Sequence, residues 1–189
     1  TRKESSAASD VYKRQEQAVV AISGDMNPDL AIFLFRLVAV AGVALIMVFV
    51  PLLARRLGVN GAWAQWISAA NPLFTISFVG SGHNDALMVG LALAGTWCAL
   101  RAGHPLRPQR PGQSVAWGVA GVVLVTLSLG IKPITLVLLP FIGLLWAGPT
   151  ARWPRRFAFW ALTAGISFGL MALVLSLIHI SEPTRLRRI

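Results

Sequence analysis

The fold is decided by the stretch VAWGVAGVVLVTLSLGIKPITLVLLPFIGLLWA, residues 115–147. Its 33 residues contain one charged side chain, that of Lys132, and Pro133 follows it directly. One continuous helix of this length would measure about 50 Å, whereas the hydrocarbon core of a bilayer is about 30 Å thick. Two helices that turn at Lys132 would each measure about 24 Å. The stretch therefore predicts membrane helices, and the turn decides their number.

Similar apolar blocks lie on both sides of this stretch. The whole chain is 56% hydrophobic and only 13% charged, which is roughly half the charged fraction of a soluble domain. Its mean hydropathy is +0.67. We therefore expect an all-α, polytopic transmembrane helix bundle of about six spans. The expected spans are 30–54, 63–79, 85–100, 115–131, 133–147 and 157–175.

The two ends of the chain differ abruptly from these blocks. Residues 1–15 (TRKESSAASDVYKRQ) and 176–189 (SLIHISEPTRLRRI) are polar and resemble translated adaptor sequence. Both tails are expected to be non-native, and they are excluded from reasoning about the fold. The transmembrane domain is then expected over 16–175, as an internal fragment of a longer protein that is inactive on its own.

The positive charge of the chain suggests two kinds of partner, nucleic acid or membrane. The net charge is +10, but the basic residues form short clusters between apolar blocks, as in cytoplasmic loops of membrane proteins. No zinc-ligand spacing, basic helix or other nucleic-acid motif occurs. Cys98 is the only cysteine, so no disulfide or metal site can be built on cysteine. We expect a lipid bilayer as partner and no nucleic acid.

Loop arginines give the orientation. If the chain turns at Lys132, all of them fall on one side of the membrane and Lys132 falls on the other, whereas one long helix would divide them between the two sides. The positive-inside rule then places the arginine loops in the cytoplasm of a multi-pass plasma-membrane protein. All seven tryptophans lie near the same ends of the spans, as in an interfacial belt. The loop arginines are Arg55, Arg56, Arg101, Arg107, Arg110, Arg152, Arg155 and Arg156.

This orientation gathers polar residues at the outer face. His83, Asn84 and Asp85 stand in a row at the start of the third span, and Asp25 precedes the first span. Asp85 lies where a helix N-terminus favours an anion, so an ordinary helix cap is one interpretation of Asp85, and Asn84 is equally suited to that position. A cap needs one such residue, however, and not a histidine, an amide and a carboxylate together.

Two cations lie near the same face, Lys132 and Arg36. Ionisable groups at membrane depth are costly and tend to face a cavity or a partner. A lysine near a membrane surface is also a suitable contact for a lipid-linked phosphate. The alternative for both residues is a long side chain that reaches the interface and serves no further purpose.

Several strings in the chain resemble a known family. They are Asn71-Pro72-Leu73, Gly80-Ser81-Gly82-His83-Asn84-Asp85-Ala86-Leu87-Met88, Ile131-Lys132-Pro133 and Leu139-Pro140-Phe141. With these residues, the stretch 17–175 resembles the bacterial polyprenol-phosphomannose-dependent α-(1→6)-mannosyltransferases. The string from Gly80 to Asp85 is the most specific of the four. The resemblance implies that the fold is part of a larger C-type glycosyltransferase membrane domain.

The resemblance also implies a hexosyltransferase reaction. Mannose would move from a polyprenyl-phosphate carrier to an α-(1→6) mannan glycolipid acceptor at the outer face, in lipomannan biosynthesis of the cell envelope. No cofactor or metal is expected. In this family an acidic residue of the first outer loop serves as general base, and that loop is expected to precede this chain. The base is therefore unassigned, with Asp85 and Asp25 as candidates.

Substrate contacts follow from the same resemblance. We expect Lys132 and His83, with Arg36 as a further candidate, to contact the carrier phosphate, and Asn84 and Asp85 to bind sugar hydroxyls. Two other functions remain open from the residues alone. A secondary transporter or permease would show an inverted repeat and polar residues near the bilayer midplane. In a structural membrane subunit, the outer residues would only cap helices and reach the interface.

Overall fold

A computed structural model of the chain describes residues 28–69, 71–76, 78, 84–104, 109–110 and 112–181. Within these ranges there are α-helices and one short 3-10 helix, Pro133–Val137, but no strand. The all-α prediction is confirmed. The helices are α1 (Pro28–Arg56), α2 (Gly61–Ala69), α3 (Pro72–Thr75), α4 (Asp85–Gly103), α5 (Gln113–Ile131), α6 (Leu138–Ala147) and α7 (Trp153–Ser181).

Four of these helices, α1, α4, α5 and α7, are long and apolar enough to cross a membrane. Their apolar side chains are widely exposed on the outside of the bundle, as with Phe33 and Val48 on α1 and Phe168 on α7. Exposed apolar surface of this extent suits lipid or neighbouring helices and does not suit water. The chain is thus a polytopic membrane helix bundle. The tail 1–15 lies outside the described residues, as does most of the tail 176–189, although α7 continues to Ser181.

The chain reverses direction at Lys132, as the two-helix interpretation predicts. Helix α5 ends at Ile131, Lys132 is extended (φ −142°, ψ 130°), and the 3-10 helix then leads into α6. Trp146, near the end of α6, lies against Gly118, near the start of α5, so closely that a Cβ on that glycine would overlap its indole ring. Such a contact requires α5 and α6 to run antiparallel. The apolar stretch Pro133–Ala147 has 15 residues, fewer than the roughly 20 of a full span.

The region expected as one span over 63–79 is divided in the structure. Helix α2 ends at Ala69, and Asn71 begins the short helix α3 by accepting a hydrogen bond from the backbone N–H of Leu73 at 2.9 Å. Pro72 occupies the first turn of α3, where its missing N–H costs nothing. The proline therefore starts a new helix instead of bending a continuous one.

The hairpin between α1 and α2 is closed by a glycine. Gly58 has a positive φ of 74°, and the N–H of Val59 donates to the carbonyl of Ala54 at 2.9 Å. This is the helix-ending motif that requires a left-handed residue. Asn60 then caps α2 by accepting from the N–H groups of Ala62 and Trp63. The backbone of Gly58 and the side chain of Asn60 thus both favour a turn between α1 and α2.

Small residues bring the long helices close together. Gly42 of α1 lies against the backbone of Leu87 of α4, and Gly95 of α4 lies against Gly121 of α5. Close backbone approach at small residues is a usual way for membrane helices to pack. Helices α1 and α4 run parallel, while α4 and α5 run antiparallel. The buried core cluster contains Ala99, Ala102, Val122, Val125, Leu139, Ile142 and Trp146.

Candidate functional site

Two chemistry-bearing residues of distant helices are brought together because the register of α4 against α5 is fixed. The buried hydroxyl of Ser128 on α5 donates to the backbone carbonyl of Met88 on α4 at 2.8 Å. Lys132 lies one turn beyond Ser128, and Asp85 lies about one turn before Met88. Since the two helices are antiparallel, this register sets Lys132 opposite Asp85.

The ammonium group of Lys132 forms an ion pair with carboxylate oxygen Oδ1 of Asp85. The two side chains are 40% and 33% exposed, respectively, so a ligand has access to both. No other ion pair occurs within the described residues. Asp85 and Lys132 thus form a compact pair of opposite charges at one end of the bundle.

The backbone around Lys132 is held by several hydrogen bonds. Its N–H donates to the carbonyl of Ser128 at 3.1 Å, which ends α5. Its own carbonyl accepts from the N–H of Thr135 at 3.3 Å and from the buried hydroxyl of the same residue at 3.1 Å. The turn is therefore a defined structure that aims the lysine side chain at α4.

The structure also bears on the capping interpretation of Asn84 and Asp85. Asn84 occupies the N-cap position of α4, but its side chain makes no capping hydrogen bond. Asp85 is the first residue of the helix, where the helix dipole favours its negative charge. Its carboxylate is nevertheless engaged by Lys132. Asp85 thus makes a contact besides its place at the helix N-terminus, and Lys132 makes a contact within the bundle.

The other predicted site residues are not part of this pair. Arg36 is exposed on α1, about two turns before the contact of Gly42 with α4, and it forms no ion pair with another described residue. His83 and Asp25 lie outside the described residues. Among the predicted contacts, Asp85 and Lys132 are thus brought together, Asn84 directly precedes Asp85 in the chain, and the place of Arg36 near the substrate stays a prediction.

Sequence reasoning missed two hydroxyl side chains that shape this site, Ser128 and Thr135. Both are buried. The hydroxyl of Ser128 donates to the carbonyl of Met88 and the hydroxyl of Thr135 to the carbonyl of Lys132, and these two bonds fix the position of Lys132. The available signal was a pair of hydroxyl residues flanking a lysine inside an apolar stretch. Such residues also bond commonly within their own helix, so the signal alone was not specific.

The loop arginines that the structure describes gather at the opposite end of the bundle, and Arg107 lies outside the described residues. Arg56 at the end of α1 donates to the carbonyl of His104 at the end of α4, and Arg101 lies over the ring of Trp117 near the start of α5. Arg155 lies over the ring of Phe159, which in turn contacts Trp146 of α6. The separation of arginines from the Asp85–Lys132 pair, inferred from loop order, is therefore present in the packed helices.

Metal-ligand chemistry is not suggested by the described part of the chain, where no three histidine, cysteine or acidic side chains cluster. The site offers instead one carboxylate, one ammonium group and one amide. A model of the family described as "Alpha-(1->6)-mannopyranosyltransferase, N-terminal domain" matches residues 12–148, which include the whole site. The chain belongs to this mannopyranosyltransferase family. The resemblance drawn from the sequence strings is confirmed.

Curated relatives carry the same family name. A probable alpha-(1->6)-mannopyranosyltransferase of Mycolicibacterium smegmatis is 35% identical over 173 residues, which cover 84% of this chain. Alpha-(1->6)-mannopyranosyltransferase A of Mycobacterium tuberculosis is 34% identical over 60% of the chain. The protein of that name from Corynebacterium glutamicum is 30% identical over 69% of it.

The mannopyranosyltransferase chain is much shorter than these relatives. Its matched region spans 31%, 19% and 23% of their respective lengths. No solved structure is significantly similar to the chain. The Asp85–Lys132 pair therefore lies in the N-terminal part of the family's common sequence, and the remainder of the relatives has no counterpart in these 189 residues.

Proposed function

We propose that this chain is part of a membrane hexosyltransferase that moves mannose from a polyprenyl-phosphate carrier to an α-(1→6) mannan glycolipid. In this reaction the bond between the anomeric carbon and the carrier phosphate breaks. A bond forms between that carbon and the 6-hydroxyl oxygen of the acceptor, and the hydroxyl proton passes to a base. Family membership favours this function over a transporter or a structural subunit.

The observation that carries the proposal is the Asp85–Lys132 ion pair. Transfer from a phosphate carrier needs a cation for the leaving group and a polar acceptor for the attacking hydroxyl. The pair offers both within one contact, and each partner is partly exposed to an entering substrate. Two further proposed contacts, His83 and Asn84, directly precede Asp85 in the sequence.

Lys132 would stabilise the leaving phosphate. The carrier phosphate is a diester with one negative charge in the donor, and it becomes a monoester with additional negative charge as the sugar departs. A nearby ammonium group gains more attraction in the transition state than in the ground state, which is the condition for catalysis. His83 and Arg36 are the further phosphate contacts that we propose.

Asp85 would first hold Lys132 in place and then bind the sugar. When the donor phosphate takes over the ammonium group, the carboxylate is released to accept a hydrogen bond from a sugar hydroxyl, as Asn84 also can. Asp85 is in addition one candidate for the base that receives the acceptor proton, and Asp25 is the other. Assays on the complete protein distinguish these two candidates for the base.

The proposed place of reaction is the outer face of the plasma membrane. The support is the distribution of charge, since the arginines lie at the end of the bundle remote from Asp85 and Lys132. Cytoplasmic ends of membrane proteins are the arginine-rich ends. A lipid-linked donor and a glycolipid acceptor would then approach from the outer leaflet, without a cofactor.

The test is mannosyl transfer by the full-length protein that contains this sequence, in membranes of a host without its own α-(1→6)-mannosyltransferase. The substrates are radiolabelled mannose on polyprenyl phosphate and a synthetic α-(1→6)-linked dimannoside with an alkyl chain. We expect Asp85→Ala and Lys132→Ala each to lower the transfer rate roughly a hundredfold or more, as removal of a general base or of an electrostatic stabiliser does.

The matched control is Arg110→Ala, which also removes one charge but at the other end of the bundle. We expect its transfer rate to stay within about twofold of the unmodified protein, since its backbone N–H and not its guanidinium bonds to Gln113. Helical content is measured for each variant. Unchanged transfer in both Asp85→Ala and Lys132→Ala would show that the pair has no part in the reaction.

A further inference from the structure

The arginine end of the bundle carries positive charge that the chain itself does not neutralise. Between residues 30 and 181 the sequence has a single acidic residue, Asp85, and it lies at the opposite end, paired with Lys132. The loop arginines therefore have no carboxylate partner within this part of the sequence. An anion bound at this end of the bundle would offset their charge.

Arg56 has a donor without an acceptor. Its Nη1 donates to the backbone carbonyl of His104 at 3.0 Å. Its Nη2 is buried, and no hydrogen-bond partner lies within reach in the described part of the chain. A buried charged donor left unpaired is costly, and in a native protein it usually marks a bound water or ion. The direction of this donor is fixed because the guanidinium group is planar and its other nitrogen is held.

Arg101 places a second positive charge beside the first. Arg56 donates to the carbonyl of His104, which follows Arg101 by three residues at the end of α4, so both guanidinium groups lie at this end of the bundle. Arg101 is held in this position between two indole rings, with its Cζ atom 5.2 Å from the ring centroid of Trp97 and 4.5 Å from that of Trp117. Stacking on tryptophan stabilises a guanidinium group and leaves its edge donors available. Both guanidinium groups thus lie at this end of the bundle with donors available to an anion.

We propose that Arg56 and Arg101 together bind the phosphate group of an anionic phospholipid headgroup. One phosphate can accept the unpaired Nη2 donor of Arg56 and an edge donor of Arg101, and its negative charge offsets their positive charge. Gln109 donates its Nε2 to the carbonyl of Arg101 at 3.0 Å, and its Oε1, a buried acceptor that also has no hydrogen-bond partner in the described part of the chain, cannot donate to a phosphate. The phosphate therefore contacts the two guanidinium groups alone.

A lipid phosphate fits this place better than a free one. Tryptophan rings lie preferentially at the depth of lipid headgroups, and Trp97 and Trp117 flank Arg101 directly. Basic pockets between transmembrane helices on the cytoplasmic side are suited to phosphate-bearing headgroups. Arg56 lies on α1 and Arg101 on α4, so a bound lipid would join these two helices.

The experiment is lipid titration of the purified 189-residue chain in a non-ionic detergent, followed by native mass spectrometry. The probes are phosphatidylglycerol and the uncharged phosphatidylcholine. We expect one phosphatidylglycerol to bind at least about tenfold more tightly than phosphatidylcholine, and the double variant Arg56→Gln, Arg101→Gln to lose this preference. Arg56→Lys keeps the charge but not the planar fork, and we expect it to weaken binding about threefold or more.

The matched control is the double variant Arg155→Gln, Arg156→Gln. It removes the same charge at the same end, but Arg155 lies over Phe159, and Arg156 already donates to the carbonyl of Pro149. We expect lipid affinity within about twofold of the unmodified chain. An equal loss in this control, or no preference for phosphatidylglycerol in the unmodified chain, would overturn the proposal. Displacement of the lipid by millimolar inorganic phosphate would reassign the site to a soluble anion.

Discussion

The two ends of this helix bundle use charge in different ways. At the arginine end, the guanidinium groups contact aromatic rings and backbone carbonyls, as Arg155 contacts Phe159 and Arg156 contacts Pro149. At the other end, one ammonium group and one carboxylate contact each other. Rings and carbonyls are permanent partners of a cation, whereas a carboxylate can be replaced by another anion. Under the proposed function, this difference separates a region that positions the protein in a membrane from one whose ion pair opens to a substrate.

Stability alone does not require the Asp85–Lys132 pair. An ion pair as exposed as this one contributes about 1 kcal/mol or less to the folded state. The packing of glycine-rich helix faces and the buried core cluster holds the helices together far more effectively. The pair is therefore the place where function, and not folding, is expected to depend on charge.

The largest expected effect concerns the sides of the membrane on which the two ends lie. In the Cys98→Ala background, Ile134→Cys and Arg110→Cys are introduced separately, because position 134 is highly exposed at one end and position 110 is exposed at the other. We expect a membrane-impermeant maleimide to label the first variant in intact cells. The second should be labelled only after the membrane has been permeabilised.

The parent Cys98→Ala protein is the control, since Cys98 is buried and its removal leaves no reactive thiol. All-or-none labelling is expected in each variant. If positions 110 and 134 react from the same compartment, the orientation is wrong, and the outer-face location of the proposed reaction falls with it.

The next experiment asks whether the Asp85–Lys132 pair acts only in folding or also in mannosyl transfer. The double variant Asp85→Lys, Lys132→Asp keeps a pair of opposite charges but exchanges their positions. We expect its free energy of unfolding to lie within about 1 kcal/mol of the unmodified protein, with a small loss because a lysine is unfavourable at a helix N-terminus. Mannosyl transfer by the full-length protein should remain about a hundredfold lower, since the cation and the carboxylate no longer face their own parts of the substrate.

Both quantities are measured on the same preparation, by chemical unfolding and by radiolabelled transfer. The single variants Asp85→Ala and Lys132→Ala serve as reference, since each leaves one charge without its partner. Full recovery of transfer in the double variant would mean that the pair acts only as a structural contact.

Much of the fold follows from the sequence because its signals are physical and local. The length of the apolar stretch 115–147 exceeds what one helix can span, so a turn at Lys132 is required. The arginines between blocks then order the connections by side. The string from Gly80 to Asp85 and the Lys132-Pro133 turn are two of the four strings that indicate the family, and the structure brings Asp85 and Lys132 into contact.

Other features depend on contacts that a single sequence does not encode locally. The break at Asn71 divides the expected span 63–79, because whether a proline bends a helix or starts a new one depends on the surrounding packing. The contact of Ser128 with Met88 depends on how α4 and α5 are rotated against each other, which Gly95 and Gly121 set by close approach. The place of Arg36 relative to the pair depends on the same kind of helix register.

A smaller effect is expected from this register contact. Ser128→Ala removes the hydroxyl that bonds across to the carbonyl of Met88. A hydrogen bond between membrane helices contributes about 0.6 kcal/mol on average, so the stability should change little. Transfer should nevertheless fall roughly three- to thirtyfold, because small displacements of catalytic groups are costly in rate. The measurement is transfer by the full-length protein.

Thr163→Val is the matched control for this change. It also removes a buried hydroxyl, but that hydroxyl donates to the carbonyl of Phe159 in the same helix at 2.7 Å. Its loss leaves the register of α4 and α5 unchanged, so transfer should stay within about twofold. Equal losses in the two variants would indicate a general effect of buried hydroxyls and not an effect of register.

The smallest effect on stability and on transfer is expected at the arginine end. There the contacts of Arg155 and Arg156 are spread over rings and carbonyls, so the loss of one such side chain should change little. Arg155→Gln removes the contact of a guanidinium group with the ring of Phe159, 5.4 Å away, and should lower the free energy of unfolding by about 0.5–1 kcal/mol. Arg152→Gln removes the same charge, but the Arg152 side chain has no ring contact among the described residues. This variant should therefore lower the free energy of unfolding less than Arg155→Gln does. Chemical unfolding measures both, and transfer should be unchanged. A loss of transfer in Arg155→Gln comparable to that in Lys132→Ala would mean that the two ends do not differ in function, because a charge far from the proposed site would then matter as much as one within it.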